Sequence, residues 1–196
     1  MNVLKFSTPH RTAAIALAAC LASGAALAQT ATPSTPSTGS TASTTGAATV
    51  DRGDRQFVEK AAQGGMMEVQ LGQAAQQKAS NAQVKSFGER MAQDHGKAND
   101  ELKKIAGAKG LTVPTAMERS HMRDMERLQK LSGAEFDREY MKHMVADHKK
   151  DISAFEKQAK SGKDAELKAF ASKTLPTLQA HLKLAQTTHD AVKNAK

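Results

Sequence analysis

Apolar residues in this chain recur at helical spacing along four long stretches and one short one. The clearest runs from Phe136 to Phe155, FDREYMKHMVADHKKDISAF, with aromatic and apolar residues on one side. Asp147-His148 sits near its middle, Met144 one turn before and Asp151 one turn after. A second stretch repeats the spacing: Phe87-x3-Met91-x2-Asp94-His95-x6-Leu102 matches Tyr140-x3-Met144-x2-Asp147-His148-x6-Phe155, position for position.

In chain order, a first helix is expected from a cap at Asp54 to about Lys78. Its inner face reads Phe57, Val58, Ala61, Gly65, Glu68, Val69, Gly72 and Ala75. Most of these are small and let a neighbouring backbone come close, although each Gly inside a helix costs roughly 1 kcal/mol against Ala. Gly64-Gly65 is therefore expected to serve packing or a bend. A second helix starts at Ser80 or Asn81 and runs to about Ala108, with a stripe of Val84, Phe87, Met91, Ala98, Leu102 and Ile105. His95 falls near the middle of that stripe and Asp94 at its edge. Gly110 and Pro114 separate it from a short helix, Thr115 to Leu131. Ser132-Gly133-Ala134-Glu135 has the capping-box pattern and opens the third long helix, which ends near Ser161-Gly162. Asp164 caps the fourth, which carries Leu167, Phe170, Leu175, Leu178, His181, Leu182 and Ala185. Pro176 lies inside it and is expected to kink it before His181 and steer that side chain inward.

No stretch reads convincingly as a strand, so the fold class is all-α. Tight connections near Lys78 and Ser161 make each flanking pair antiparallel, whereas a longer segment holding the short helix joins the two pairs. A helix from Thr115 to Leu131 spans about 25 Å, enough to travel back along much of a bundle. The expected architecture is a ferritin-like four-helix bundle with a short extra helix in the long crossover. A plain up-down bundle capped by the short helix is the alternative.

The ends of the chain change the picture of where it works. Residues 1–28 have the form of a secretory signal peptide: Lys5 and Arg11 without an acid, an Ala- and Leu-rich core, and Ala26-Leu27-Ala28 as a small-x-small cleavage site. That core is too short for a membrane span. The address expected is the periplasm or the exterior. Leu17-Ala18-Ala19-Cys20 permits a second reading, lipidation of Cys20, but leaves only Thr12 to Ala16 as apolar core before it. Cleavage after Ala28 removes the one cysteine, and with it any disulfide or thiolate site. Residues 29–50 are almost entirely Thr, Ser, Ala, Pro and Gly, a disordered tether with nothing to bury. Residues 51–196 are one helical domain.

The chain has 28 Lys and Arg against 20 Asp and Glu; two basic residues and no acid fall in the leader, leaving 26 against 20. This basic excess reads first as an ordinary solvated surface, with peripheral association with an anionic envelope surface as the second reading. The basic residues are interleaved with acids and not with aromatics, so no nucleic-acid platform is present. Nothing in the chain fixes an oligomeric state or a protein partner.

Asp54-Arg55-x-Phe57, Met66-x-Glu68, Asp94-His95-x-Lys97, Phe136-Asp137-x2-Tyr140-x6-Asp147-His148 and Leu175-Pro176-x2-Gln179-x-His181-Leu182 fall in order along the chain. With these motifs the stretch from about Asp51 to Leu184 resembles the secreted bacterial proteins grouped as domain of unknown function 4142. The resemblance implies a ferritin-like bundle in the periplasm or outer envelope and carries no established activity.

Glu68, His95, His148 and His181 each lie near the midpoint of their helix and on or near its apolar face, and Asp151 shares the face of His148. Glu and His converging from facing helices is how bundles build metal sites, and imidazole with carboxylate suits iron, zinc, copper or nickel. The candidate metal set is therefore Glu68, His95, His148, Asp151 and His181, with Asp94 or Asp147 holding the imidazoles. A buried hydrogen-bond network without metal is the competing reading. A di-iron centre of the ferritin kind needs Glu-x-x-His on two helices, and Ala92 and Val145 stand three before His95 and His148. Thioether with imidazole is a copper(I) combination, which draws attention to His121-Met122 and His143-Met144, although methionine also serves as core filler. No Ser or Cys sits in a recognisable nucleophile turn. A binding protein is favoured over a structural module, and both over a metal-dependent oxidoreductase.

Overall fold

The computed structural model describes residues 50–194. The expected leader, its Cys20 and the tether up to residue 49 lie outside the described residues. The described chain forms five helices: α1 Arg52–Lys78, α2 Ala82–Ala108, α3 Arg119–Gln129, α4 Gly133–Ser161 and α5 Ala165–Val192. No strand occurs among the described residues.

Two caps fall where the sequence puts them. Asn81 accepts from the N–H groups of Gln83 and Val84, and Asp164 from those of Glu166 and Leu167, so each satisfies donors that have no partner within its helix. Two expectations are corrected. The cap of α1 is Asp51, whose Oδ1 accepts from Gly53 N at 2.7 Å. Asp54 lies three residues further in, within the first turn, and is 1% exposed, its carboxylate turned onto other elements. Ser132 occupies the N-cap of α4 without a side-chain hydrogen bond. The chain enters α4 through Gly133 at φ 60°, a left-handed turn that aims the first N–H groups away from the Ser132 hydroxyl. The short helix is also shorter than its pattern suggests. With 11 residues, starting at Arg119 and ending at Gln129, it spans about 16 Å.

Polar ties fix the directions of the helices. Gln158 Nε2, near the end of α4, donates to Asp54 Oδ1 at the start of α1 at 2.8 Å. Lys109, just past α2, pairs with Asp164 at the start of α5 at 2.8 Å. The order is therefore up, down, down, up, with one long crossover through α3. The main packing pairs are α1 with α2 and α4 with α5; α1 also packs on α4 and α2 on α5, leaving α2 and α4 parallel on opposite corners. Small residues carry the α1–α2 crossing: a Cβ at Gly72 would lie 2.4 Å from Gly88 O, and one at Gly88 2.6 Å from Ala75 Cβ. Gly65 serves packing too, since a Cβ there would meet the Asn99 side chain at 2.2 Å.

The core divides into two apolar clusters. One holds Met67, Leu71, Phe87, Met91, Phe136, Tyr140 and Met144, towards the end of the bundle where α1 finishes. The other holds Phe57, Val58, Leu102, Phe155, Phe170 and Leu178, towards the end where α1 begins. Glu68, His95, His148 and His181 belong to neither; by position along their helices they form a polar layer between the two. α5 continues through Pro176, and His181 lies 1% exposed, facing inward as expected. None of the described helices is long and apolar enough to cross a membrane.

Candidate metal centre

The repeat explains how the layer assembles. α2 and α4 are parallel and diagonal, so positions matched by sequence meet at one height. Phe87 and Tyr140 pack edge to face with ring centroids 6.0 Å apart, and one layer further on His95 and His148 do the same at 5.6 Å. α5 adds His181, whose ring lies 5.3 Å from that of His95 and 5.5 Å from that of His148. α1 adds Glu68. One ring nitrogen from each of the three histidines lies within 4.8 Å of the others.

Each imidazole is held on one nitrogen only. His148 Nδ1 donates to the Met144 carbonyl at 3.0 Å; a carbonyl only accepts, so in the neutral ring the proton sits on Nδ1 and Nε2 carries a bare lone pair. His181 Nε2 donates to Asp94 Oδ2 at 2.9 Å, leaving Nδ1. Burial would raise the Asp94 carboxyl, but the His181 hydrogen bond and the Arg90 guanidinium outweigh it and hold it below its ordinary value. His95 Nδ1 lies 2.7 Å from Glu68 Oε2, leaving Nε2. His95 Nε2, His148 Nε2 and His181 Nδ1 are all buried without a hydrogen-bond partner, and so is Glu68 Oε1, which lies 3.4 Å from His148 Nδ1.

Desolvation dominates the electrostatics. Burial pulls His95 and His181 down to about 4 and lowers His148, against the pull of Asp94 on the first two and of Glu68 on the third, so all three rings are neutral at pH 7. Burial pushes the Glu68 carboxyl up to about 8, against the attraction of His148. At neutral pH the proton shared by Glu68 and His95 therefore rests on the carboxyl.

Glu68, His95, His148 and His181 thus converge as the sequence suggests. Asp151 falls with different partners: one oxygen each from Glu68, Asp147 and Asp151 lie within 4.8 Å of one another. Burial, then the charges of Glu68 and Asp147, raise Asp151 well above its ordinary value. Asp94 and Asp147 occupy matching places in the repeat yet differ in role, because α5 offers Asp94 a histidine whereas α1 offers Asp147 a glutamate. The methionines fill the core: Met67, Met91, Met141 and Met144 are fully buried, and Met122 is exposed at 40%. A groove of about 530 Å³ between α1, α3 and α4 reaches Asp147 and Asp151 from solvent, with Glu118, His121 and Asp124 on its α3 side.

Residues 39–188 match the family described as domain of unknown function DUF4142. The chain belongs to that family. No curated protein matches it. Among solved structures it is similar to a DUF305 fragment from Deinococcus radiodurans, with TM-score 0.64 and 13% identity over 72% of this chain and 98% of that one. It is similar to CopM in a Cu(II)-bound form, with TM-score 0.61 and 17% identity over 70% and 96%. It is also similar to a DUF305 protein from Streptomyces coelicolor described as secreted, with TM-score 0.58 and 13% identity over 68% and 89%. At these identities the shared property is the helical fold.

Proposed function

We propose that this DUF4142 chain is an envelope metal-binding protein, a ferritin-like bundle that holds one transition-metal ion, copper by preference, on His95, His148 and His181. The observation that carries the reading is the set of three buried ring nitrogens without partners, on imidazoles whose other nitrogens are held: His148 by the Met144 carbonyl, His181 by Asp94, and His95 by its pairing with Glu68. Metal-ligating histidines are held in this way, through the second nitrogen, by a carbonyl or a carboxylate. A purely structural network would give every buried nitrogen a protein partner, because each one left unmade costs about 1–3 kcal/mol. Neutral imidazoles suit copper and zinc, and copper(II) forms the tighter complexes of the two with nitrogen donors. The likeness to a bundle described as copper-bound and to a secreted one supports copper and export, as does the leader expected to be removed after Ala28.

The chain's own groups give the site its chemistry. Met144 O and Asp94 fix the tautomers of His148 and His181, presenting Nε2 and Nδ1. Glu68 sets the third: for His95 to present Nε2 as a lone pair, Nδ1 must carry the proton and Glu68 must be the carboxylate. Loading therefore drives one proton off the Glu68–His95 pair. The test is metal analysis of the full chain, purified without an affinity tag and loaded with Cu(II) or Zn(II). One tightly bound ion per chain is expected, with imidazole nitrogen couplings in the copper EPR spectrum. H148A should lower affinity at least a hundredfold. No stoichiometric metal after loading would return the layer to a structural role.

A further inference from the structure

We propose that Glu68, Asp147 and Asp151 form a second cation site, built of oxygen donors and suited to a hard divalent ion of the Mn²⁺ class, beside the histidines and distinct from them. One oxygen from each of the three acids lies within 4.8 Å of the others. A cluster of acids is not in itself a site, and what marks this one is Glu68. Its side chain is 1% exposed, its Oε2 is engaged by His95, and its Oε1 is buried with no hydrogen-bond partner. A carboxyl oxygen in that condition, with the proton of the group on the side of His95, lacks a donor or a cation.

Space for an ion adjoins it. A cavity of about 20 Å³ is bordered by Glu68, His95, Asn99, Asp151 and Thr174, with Leu102 and Phe155 among its apolar walls. That volume suits one water or one ion. On the other side Asp147 and Asp151 line the groove between α1, α3 and α4, which is open to solvent. A hard cation keeps several waters when it binds few carboxylates, and the groove admits them.

The donor chemistry separates the two sets. Three nitrogens select copper or zinc, whereas carboxylate oxygens with water suit Mg²⁺, Ca²⁺ and Mn²⁺. Glu68 stands between, one oxygen on the imidazole it orients and the other without a hydrogen bond, 3.4 Å from His148 Nδ1. The repeat gives the same division: Asp94 has the His181 ring to accept from, and its counterpart Asp147 has carboxylates for neighbours. Like charges so close are offset by a proton or by a cation.

The experiment is a titration of the full chain with Mn²⁺, read by the EPR signal of the free ion, with Cu(II) loading measured in parallel. One Mn²⁺ per chain is expected. D147N/D151N should raise its Kd at least tenfold while still taking up one Cu(II). H148A/H181A should lose Cu(II) and keep the Mn²⁺ Kd within threefold. If circular dichroism shows the Asn pair unfolded, D151N alone carries the test. The proposal is overturned by no Mn²⁺ uptake, by an unchanged Kd in the Asn variant, or by loss of Mn²⁺ in the histidine variant. Copper without Mn²⁺ would refute this site alone, and Mn²⁺ without copper the histidine reading alone.

Discussion

Four buried atoms without partners in one layer set the titration of the apoprotein. Burial lowers His95 and His181 from 6.5 to about 4, and shifts His148 the same way. Between those pH values the unfolded chain binds protons that the folded chain does not, so stability falls as pH drops. Glu68 does the reverse: raised from 4.5 to about 8, it keeps in the folded state a proton that the unfolded state has released, and stability is lost as pH rises towards 8. The imidazoles outnumber the raised carboxyls below 6.5, and above it Glu68 acts, with Asp151 raised in the same direction. The apoprotein's Tm is expected to peak near pH 6.5, at the crossover of these shifts. E68Q should weaken the alkaline decline, leaving only the part due to Asp151, and keep the acidic one. Thermal unfolding across this range decides it, and a wild-type Tm still level at pH 8 would contradict the assignment to Glu68. The sequence makes the members of the layer legible because helical phase and position along each helix both point inward. It does not show which acid holds which ring. Asp94 is adjacent to His95 and so lies about 100° round the helix from it, where it meets His181 on α5. Nothing in a one-dimensional pattern says which neighbouring helix stands there.

At the scale of the element, the glycines of α1 and α2 separate two costs that the sequence shows as one. A Cβ at Gly72 would press on the backbone oxygen of Gly88, which cannot swing aside. G72A is therefore expected to destabilise by about 2 kcal/mol or more, as overpacking does. Gly96, in the same bundle, has nothing within 4 Å of an added Cβ. There the helix propensity of alanine acts unopposed, and G96A should stabilise by about 0.5–1 kcal/mol. Urea unfolding of the two variants reads both signs, and destabilisation by G96A would mean that position is not open. Helix types and most boundaries follow from periodicity and caps, as at Asn81 and Asp164. The misread ends have separate physical causes. Asp54 and Ser132 carry cap-forming side chains, but Asp54 already lies inside α1, with Asp51 as the cap and its own carboxylate on the α4–α5 turn, and Ser132 stands at the N-cap of α4 without a hydrogen bond.

Across the whole molecule, two buried carboxylates join the halves of the bundle. Asp54, at the start of α1, accepts from Gln158 Nε2 at 2.8 Å, from Lys163 N at 3.2 Å and from Asp164 N at 2.7 Å, and so holds the turn between α4 and α5. Asp137, near the start of α4, accepts from Ser80 N at 3.2 Å, from Ser80 Oγ and from Asn81 N at 2.9 Å, and so holds the turn between α1 and α2. Each hairpin's first helix thus secures the other hairpin's turn, at opposite ends of a bundle whose long helices run about 40 Å. The reciprocity brings α1 against α4 in antiparallel register and sets the height at which the histidines meet. Removing either carboxylate leaves several partly buried donors without an acceptor, at a cost on the order of 3 kcal/mol. Loss of a simple helix cap costs about 1 kcal/mol. D54A and D137A should therefore lower the urea midpoint by similar, large amounts without changing the slope, and D51A by about a third as much. The comparison of D51A with D54A is the discriminating one. If Asp54 only capped α1, D54A would cost what a cap costs and D51A almost nothing. The Oδ1 contact of Asp51 with Gly53 and the 1% exposure of Asp54 require more of both: a cap's cost for D51A and about three times that for D54A.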